Sequence, residues 1–317
     1  MKVLVTDAEY SPLDIEAELL ASAGHELAVA SCRTPEEVIE AATGVDALLV
    51  QYAPITADVF EAVPQLKLVS RYGVGVDAVD TEAAREQGVW VCNVPDYGTA
   101  EVALQAVAML LALLRNVAGH DREVRAGRWD YHLGGQLRRP SSLTLGVVGL
   151  GRIGRMAAER AAPWFGTVVG YDPYLPDSEW PNGMERLGME DVFARSSAIT
   201  LHLPLTEDTR GLVGTELLGR MPSGSYLVNT ARGGLIDLDA LVEALDSGQL
   251  AGAALDVLPE EPPPKDHPLL RHPRALITPH VAWYSEEAEV ELRRKAAQNI
   301  VDWARTGRPT YAVVEGR

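Results

Sequence analysis

The chain has 317 residues, 47% of them hydrophobic, and a formal net charge of −17. That is enough for two domains with real cores, and too apolar for a disordered chain. The acidic balance argues against nucleic-acid or anionic-membrane partners, and no apolar run reaches membrane-spanning length.

The segment after Met1 reads as a strand, not a secretory signal. Cys32 and Cys92, the only two cysteines, offer neither a disulfide framework nor a metal-ligand spacing. Both are expected to be buried small side chains in a reducing cytoplasm. No metal is expected. Strands are predicted at 2–6, 25–30, 47–51, 68–71 and 90–92, with helices at 13–23 and 36–42. Gly24 stops the first helix, and Thr34 with Pro35 starts the second. Such alternation implies a parallel sheet covered on both faces.

Within this part, R-Y-G-V-G-V-D at 71–77 follows a strand. Gly73 and Gly75 would expose backbone N–H groups at the carboxyl end of the sheet, where an anion can sit and Arg71 can add charge. A plain glycine turn with a surface arginine explains the stretch equally well. A helix over 99–116 is apolar nearly all round, so it is expected to be buried.

The next stretch, T-L-G-V-V-G-L-G-R-I-G at 144–154, organises the second half of the chain. An apolar strand runs into Gly149, Gly151 and Gly154 in G-x-G-x-x-G spacing, and these open a helix. The first glycine allows the turn, the second the approach of a pyrophosphate, and the third close helix–strand packing. A second strand ends in Asp172, about 20 residues on, where a ribose diol is bound in dinucleotide sites. A carboxylate there repels a 2′-phosphate, which favours NAD over NADP.

Further strands are predicted at 198–201, 225–229, 251–256 and 275–278, with a helix at 238–247. The proline-rich segment 259–264 is a loop. Ser285 caps a last helix whose apolar face is Ala288, Leu292, Ala296, Ile300 and Trp303, closed by Gly307 and Pro309. Three polar groups fall at or near sheet ends: Arg232, Glu261 and His280. Reduction of a 2-oxo acid needs a proton donor, for which histidine is suited, and a planar cation for the carboxylate. A carboxylate on the other imidazole nitrogen fixes the tautomer. Chemistry alone does not single out His280 from His25, His120, His132, His202, His267 and His272.

Taken together, G-V-G-V-D at 73–77, G-L-G-R-I-G at 149–154, N-T-A-R-G-G at 229–234 and D-V-L-P-E-E-P through T-P-H at 256–280 resemble the D-2-hydroxyacid dehydrogenases over nearly the whole chain. Arg71, C-N-V-P at 92–95, Y-D-P-Y-L at 171–175 and H-V-A-W-Y-S at 280–285 resemble the C-terminal-binding-protein (CtBP) branch. The resemblance implies an α/β protein with two doubly wound parallel-sheet domains. A flavodoxin-like substrate domain would comprise 1–98 and 286–317, and a Rossmann NAD domain 99–285. It implies His280 as acid/base, Glu261 as its partner and Arg232 as the substrate clamp. The amides of Val74 and Gly75 would hold the substrate carboxylate, with Arg71 as an extra cation. Arg152 and Ile153 would lie at the pyrophosphate and Asp172 at the ribose. Pro204, Thr209, Thr230, Ala231 and Asp256 would line the rest of the NAD groove, and Trp283 would face the substrate side chain. It also implies a homodimer formed through the helix from 99 and the arm after it.

The chain departs from the co-repressors at Val74, where they carry serine, and it is expected to lack their C-terminal extension, since Arg317 comes soon after the last helix. The expected function is an NAD-dependent dehydrogenase of a small 2-oxo or 2-hydroxy acid. The alternative is an NAD-sensing co-regulator that binds partner peptides.

Overall fold

A computed structural model describes all residues from Met1 to Arg317. The chain divides into two compact units: Met1–Gly98 with Ser285–Arg317, and Thr99–Tyr284.

In chain order, the first unit contains β1 (Lys2–Val5), α1 (Asp14–Ser22), β2 (Glu26–Val29), α2 (Pro35–Ala41), β3 (Ala47–Val50), α3 (Ala57–Ala62), β4 (Leu68–Arg71), α4 (Thr81–Gln87) and β5 (Trp90–Cys92). The second contains α5 (Thr99–Leu114), α6 (Val117–Arg125), β6 (Thr144–Val148), α7 (Arg152–Ala161), β7 (Thr167–Tyr171), β8 (Glu185–Arg186), α8 (Met189–Arg195), β9 (Ala198–Leu201), α9 (Thr215–Arg220), β10 (Ser225–Asn229), α10 (Leu238–Asp246), β11 (Leu250–Leu255) and β12 (Ala275–Ile277). The chain then returns to the first unit as α11 (Glu286–Thr306) and β13 (Ala312–Val314).

The first sheet has the order β13-β5-β4-β3-β1-β2. All pairs are parallel except β13, which lies antiparallel on β5. This is the flavodoxin-like doubly wound order with an added edge strand. β3 is apolar and buried at every position, as a strand covered on both faces must be. A capping box starts α2: Thr34 Oγ1 accepts from the Glu37 N–H, and Glu37 Oε2 accepts from the Thr34 N–H. Ser285 Oγ caps α11 by accepting from the Ala288 N–H at 3.0 Å. The buried face of α11 is Ala288, Leu292, Ala296 and Ile300. Emptying the Leu292 site to alanine would cost about 2–5 kcal/mol.

The second sheet has the order β12-β11-β10-β9-β6-β7-β8, all parallel. The order reverses at β6, so β6 and β9 flank the switch point at which doubly wound sheets bind dinucleotides. One apolar layer, with Phe193, Leu217 and Leu241, covers one face of this sheet. Another, with Leu110, Leu114 and Ala158, covers the other.

Two expectations need correcting. The helix over 99–116 stops at Leu114; Asn116 takes a left-handed conformation (φ 45°), and α6 leaves at a 57° bend. Asparagine tolerates that conformation better than most residues. Nor is α5 buried all round, because Ala100, Leu104 and Ala108, at helical i+4 spacing, are exposed. No single helix is long and apolar enough to cross a membrane.

Candidate functional site

Neighbouring strand ends of the second sheet carry Arg232, Glu261 and His280. They lie on the segments that follow β10, β11 and β12, which are adjacent in the sheet. Glu261 Oε2 lies 2.6 Å from His280 Nδ1, and Oε1 accepts from the Leu258 N–H at 2.8 Å. Both side chains are half-buried. Burial pushes the Glu261 carboxyl up; the His280 bond and charge, the Leu258 N–H and the Arg232 charge outweigh it and hold it below the usual range. With Nδ1 engaged, the ring's Nε2 is the atom left to exchange a proton.

Backbone approach makes this grouping possible. A Cβ on Gly233 would lie 2.0 Å from the Leu258 carbonyl carbon, so only glycine lets the Arg232 turn rest against the Glu261 loop. Asn229, fully buried, holds that turn: its Oδ1 accepts from the Ala231 N–H at 3.0 Å, and its Nδ2 donates to the Arg232 carbonyl at 2.8 Å. His280 itself is held at φ 52°, uncommon for a residue with a side chain. Its N–H donates to the Asp256 carbonyl at 2.8 Å.

Asp256, expected to line the NAD groove, is 2% exposed and bonds to the 278–282 segment. It accepts from the Thr278 hydroxyl and from the N–H groups of Val281 (3.0 Å) and Ala282 (2.9 Å). It anchors the turn that presents His280.

Two other histidines also pair with carboxylates, His132 with Asp130 and His272 with Asp246. Of these three pairs, the His280–Glu261 pair is the one set at the ends of adjacent strands with Arg232. His202, at the end of β9, is pushed down to about 4 by burial, so it stays neutral near pH 7. Trp283 is half-buried, with its ring edge-to-face on Tyr284 at 5.6 Å.

The glycine-rich turn lies at the switch point. Gly149 has φ 90°, and a Cβ there would strike the His202 carbonyl at 2.7 Å; one on Gly154 would strike the Gly149 oxygen at 2.0 Å. Nothing lies within 4 Å of a Cβ position on Gly151, the N-cap of α7, which leaves room for a pyrophosphate over the helix N-terminus. Arg152 and Ile153 follow in the first turn. Asp172 closes the turn: Oδ2 accepts from the Leu150 N–H at 2.8 Å, and Oδ1 from those of Tyr174 (2.9 Å) and Leu175 (3.0 Å). A carboxylate oxygen has capacity for a further donor such as a ribose hydroxyl. Thr209 Oγ1 donates to the Pro204 carbonyl at 2.8 Å. The buried Thr230 hydroxyl finds no partner in the chain. An open glycine, a donor-rich helix end, an acidic diol acceptor and an orphaned hydroxyl together fit a bound dinucleotide.

The first unit carries the other expected group, Arg71 with the glycine pair. The Arg71 guanidinium folds over Gly73 (φ 134°), where a Cβ would lie 1.6 Å from Nη1. Val74 and Gly75 follow, with Val74 43% exposed. Asn93 Nδ2 donates to the Val74 carbonyl at 2.6 Å, and the buried Asn299 Nδ2 donates to the Asn93 carbonyl at 3.0 Å. Below the loop, the Tyr72 hydroxyl donates to Glu16 Oε1 at 3.2 Å. Glu16, fully buried, takes Arg293 Nε at 3.0 Å and Nη2 at 2.8 Å. Sequence reasoning missed Asn93, Asn299, Glu16 and Arg293. A charged glutamate and arginine on the inner sides of two helices were the one signal pointing to the last pair.

Residues 107–282 match the family described as D-isomer specific 2-hydroxyacid dehydrogenase, NAD binding domain. Over 308 residues the chain is 40% identical to D-3-phosphoglycerate dehydrogenase of Methanocaldococcus jannaschii, covering 95% of this chain and 56% of that protein. It is 38% identical to glyoxylate reductase of Korarchaeum cryptofilum, covering 84% and 82%. It superposes on the NAD complex of NAD-dependent formate dehydrogenase from Staphylococcus aureus with a TM-score of 0.89, at 32% identity and 100% coverage of both chains. The chain spans little more than half the length of the archaeal 3-phosphoglycerate dehydrogenases it matches.

Proposed function

From the chain's membership of the D-isomer-specific 2-hydroxyacid dehydrogenase family, we propose that it interconverts a small 2-oxo acid and its D-2-hydroxy acid with NAD. The observation that carries this reading is the 2.6 Å contact of His280 Nδ1 with Glu261, beside Arg232, at adjacent strand ends of the NAD-binding unit. Bound NADH supplies the hydride. His280 Nε2 gives the proton to the carbonyl oxygen, and takes it back in the reverse direction. Glu261 holds the ring in the tautomer that leaves Nε2 for this work. Arg232 holds the substrate carboxylate and polarises the carbonyl. The Val74 and Gly75 amides, with Arg71, are the first unit's binding group for a substrate carboxylate. Trp283 covers the substrate side chain. Gly149, Gly151, Arg152, Ile153 and Gly154 take the pyrophosphate, and Asp172 the ribose, which sets NAD over NADP. Pro204, Thr209, Thr230 and Ala231 complete the groove.

The protein acts as a homodimer. The exposed apolar stripe of Ala100, Leu104 and Ala108, together with Trp129, Tyr131 and Leu133 on the arm after α6, supports this. Two buried free cysteines are consistent with a cytoplasmic protein. None of the relatives named above is a co-repressor, so the CtBP-like reading has only its sequence motifs behind it. Following NADH loss at fixed enzyme against a panel of 2-oxo acids (glyoxylate, pyruvate, hydroxypyruvate and longer aliphatic acids) tests the proposal. At least one should be turned over, giving the D product. No turnover with any of them would refute it.

A further inference from the structure

Two loops beside the Arg71–Gly75 nest have no role in the account above. Val50 pairs with Arg71, so the chain leaves β3 through Gln51 and Tyr52 next to the nest. β1 lies on the far side of β3 and leaves through Asp7 and Glu9. Asp7 is committed to the backbone: Oδ1 accepts from the Gln51 N–H at 3.1 Å, and Oδ2 from the Tyr52 N–H at 2.6 Å. Glu9 is held more loosely. Its Oε2 accepts from Gln51 Nε2 and from the Tyr52 hydroxyl, both at 3.4 Å, near the limit of a hydrogen bond. Glu9 and Tyr52 are both exposed.

These groups share one electrostatic neighbourhood with Arg71. Burial raises the Tyr52 hydroxyl's pKa, Glu9 raises it further, and Arg71 lowers it. In the loops 6–10, 51–55, 71–76 and 93–97, Arg71 is the one cation, set against Asp7, Glu9 and Asp96. Lys295 of α11, which reaches the 93–97 loop, is taken by Asp96 at 2.8 Å and Glu291 at 2.6 Å. A 2-oxo acid presents one carboxylate here. A phosphorylated one adds a group of about −1.5 to −2 charge at pH 7 that only accepts hydrogen bonds. Recognition of such a group calls for cationic donors, whereas the loop next to the nest carries none and has the Glu9 carboxylate set against its Gln51 and Tyr52.

We propose that Glu9, with Tyr52, is a specificity determinant that turns away phosphorylated 2-oxo acids and restricts the substrate to those whose far end is uncharged. This rests on the reading that residues 71–75 take the substrate carboxylate. It sets the chain apart from the 3-phosphoglycerate dehydrogenases it resembles. Like charges brought together in a site oppose binding, so one acid can discriminate.

The test compares kcat/KM for hydroxypyruvate and for its 3-phosphate ester, with NADH, in three proteins: unmodified, Glu9→Gln and Glu26→Gln. Glu26 opens β2 at the opposite end of the sheet and controls for net charge. The unmodified protein should favour hydroxypyruvate by about 100-fold or more. Glu9→Gln should raise kcat/KM for the ester by about tenfold, a gain that misfolding cannot imitate, while Glu26→Gln leaves the ester unchanged. Preference for the ester in the unmodified protein, no gain in Glu9→Gln, or an equal gain in Glu26→Gln would each overturn the inference while leaving the dehydrogenase reading intact. If neither acid, nor any other 2-oxo acid, oxidises NADH, the dehydrogenase reading falls and the inference with it.

Discussion

Gly233 rests against Leu258 so closely that a Cβ would lie 2.0 Å from the Leu258 carbonyl carbon and 2.3 Å from the nitrogen of Pro259. Two loops, one carrying Arg232 and one carrying Glu261, are locked together by that contact of backbone on backbone. Gly233→Ala must push them apart, because neither contacting atom belongs to a flexible side chain. A displacement of about 1 Å at a reacting group can cost about 100-fold in rate. The variant should therefore lose at least that much kcat, in steady-state assays on protein shown by circular dichroism to be folded. Activity within threefold of the unmodified protein would show that the contact does not set the site.

The Glu261 carboxyl is held below its usual range in the folded protein. A depressed folded pKa contributes stability above the unfolded value, near 4.3, and loses it as the pH falls through the folded value. Glu261→Gln should therefore lower Tm at pH 7, and the gap from the unmodified protein should close as the pH is taken down towards 3. A gap that persists unchanged at pH 3 would mean that the effect is not the carboxylate's charge.

Asp172 should set cofactor choice. The unmodified protein is expected to prefer NADH to NADPH in kcat/KM, and Asp172→Ala to narrow the preference. Because Asp172 also accepts three backbone N–H groups, the alanine variant should bind both cofactors less tightly. Equal kcat/KM for NADH and NADPH in the unmodified protein would rule this role out.

Arg293 and Glu16 form a buried pair that joins α11 to α1. Removing one charge leaves the other buried and unmatched, at a cost of about 3–5 kcal/mol. Arg293→Met should lower Tm sharply, and the double change Arg293→Met with Glu16→Leu should recover much of the loss. A double variant no more stable than the single one would show that packing, not charge, is the larger effect.

What could be read from the sequence was what is local. The apolar runs of β3 and β6, the Thr34–Pro35 and Ser285 caps, and the glycine spacing each announce themselves within a few residues. The α/β class follows from them, and the two doubly wound sheets from the family resemblance. β8 and β13 escaped notice because a two-residue exposed strand and a short antiparallel edge strand carry no such pattern. The bend at Asn116 was hidden in an apolar run that continues across Leu114. The site divides the same way. His280, Glu261 and Arg232 were picked by motif resemblance, since seven histidines gave chemistry no ground for choice. Asn229, Asn93 and Asn299 were not singled out, nor was the anchoring of the His280 turn by Asp256. Their work is done by hydrogen bonds to backbone groups, some of them distant in the sequence, and no local period reports that.

The most direct test of the central claim is His280→Ala. If His280 is the acid/base, kcat with the best 2-oxo acid should fall by about 10²–10⁴ while NADH affinity, read from fluorescence titration, stays nearly constant. A variant that binds NADH and keeps kcat within tenfold of the unmodified protein would contradict the account.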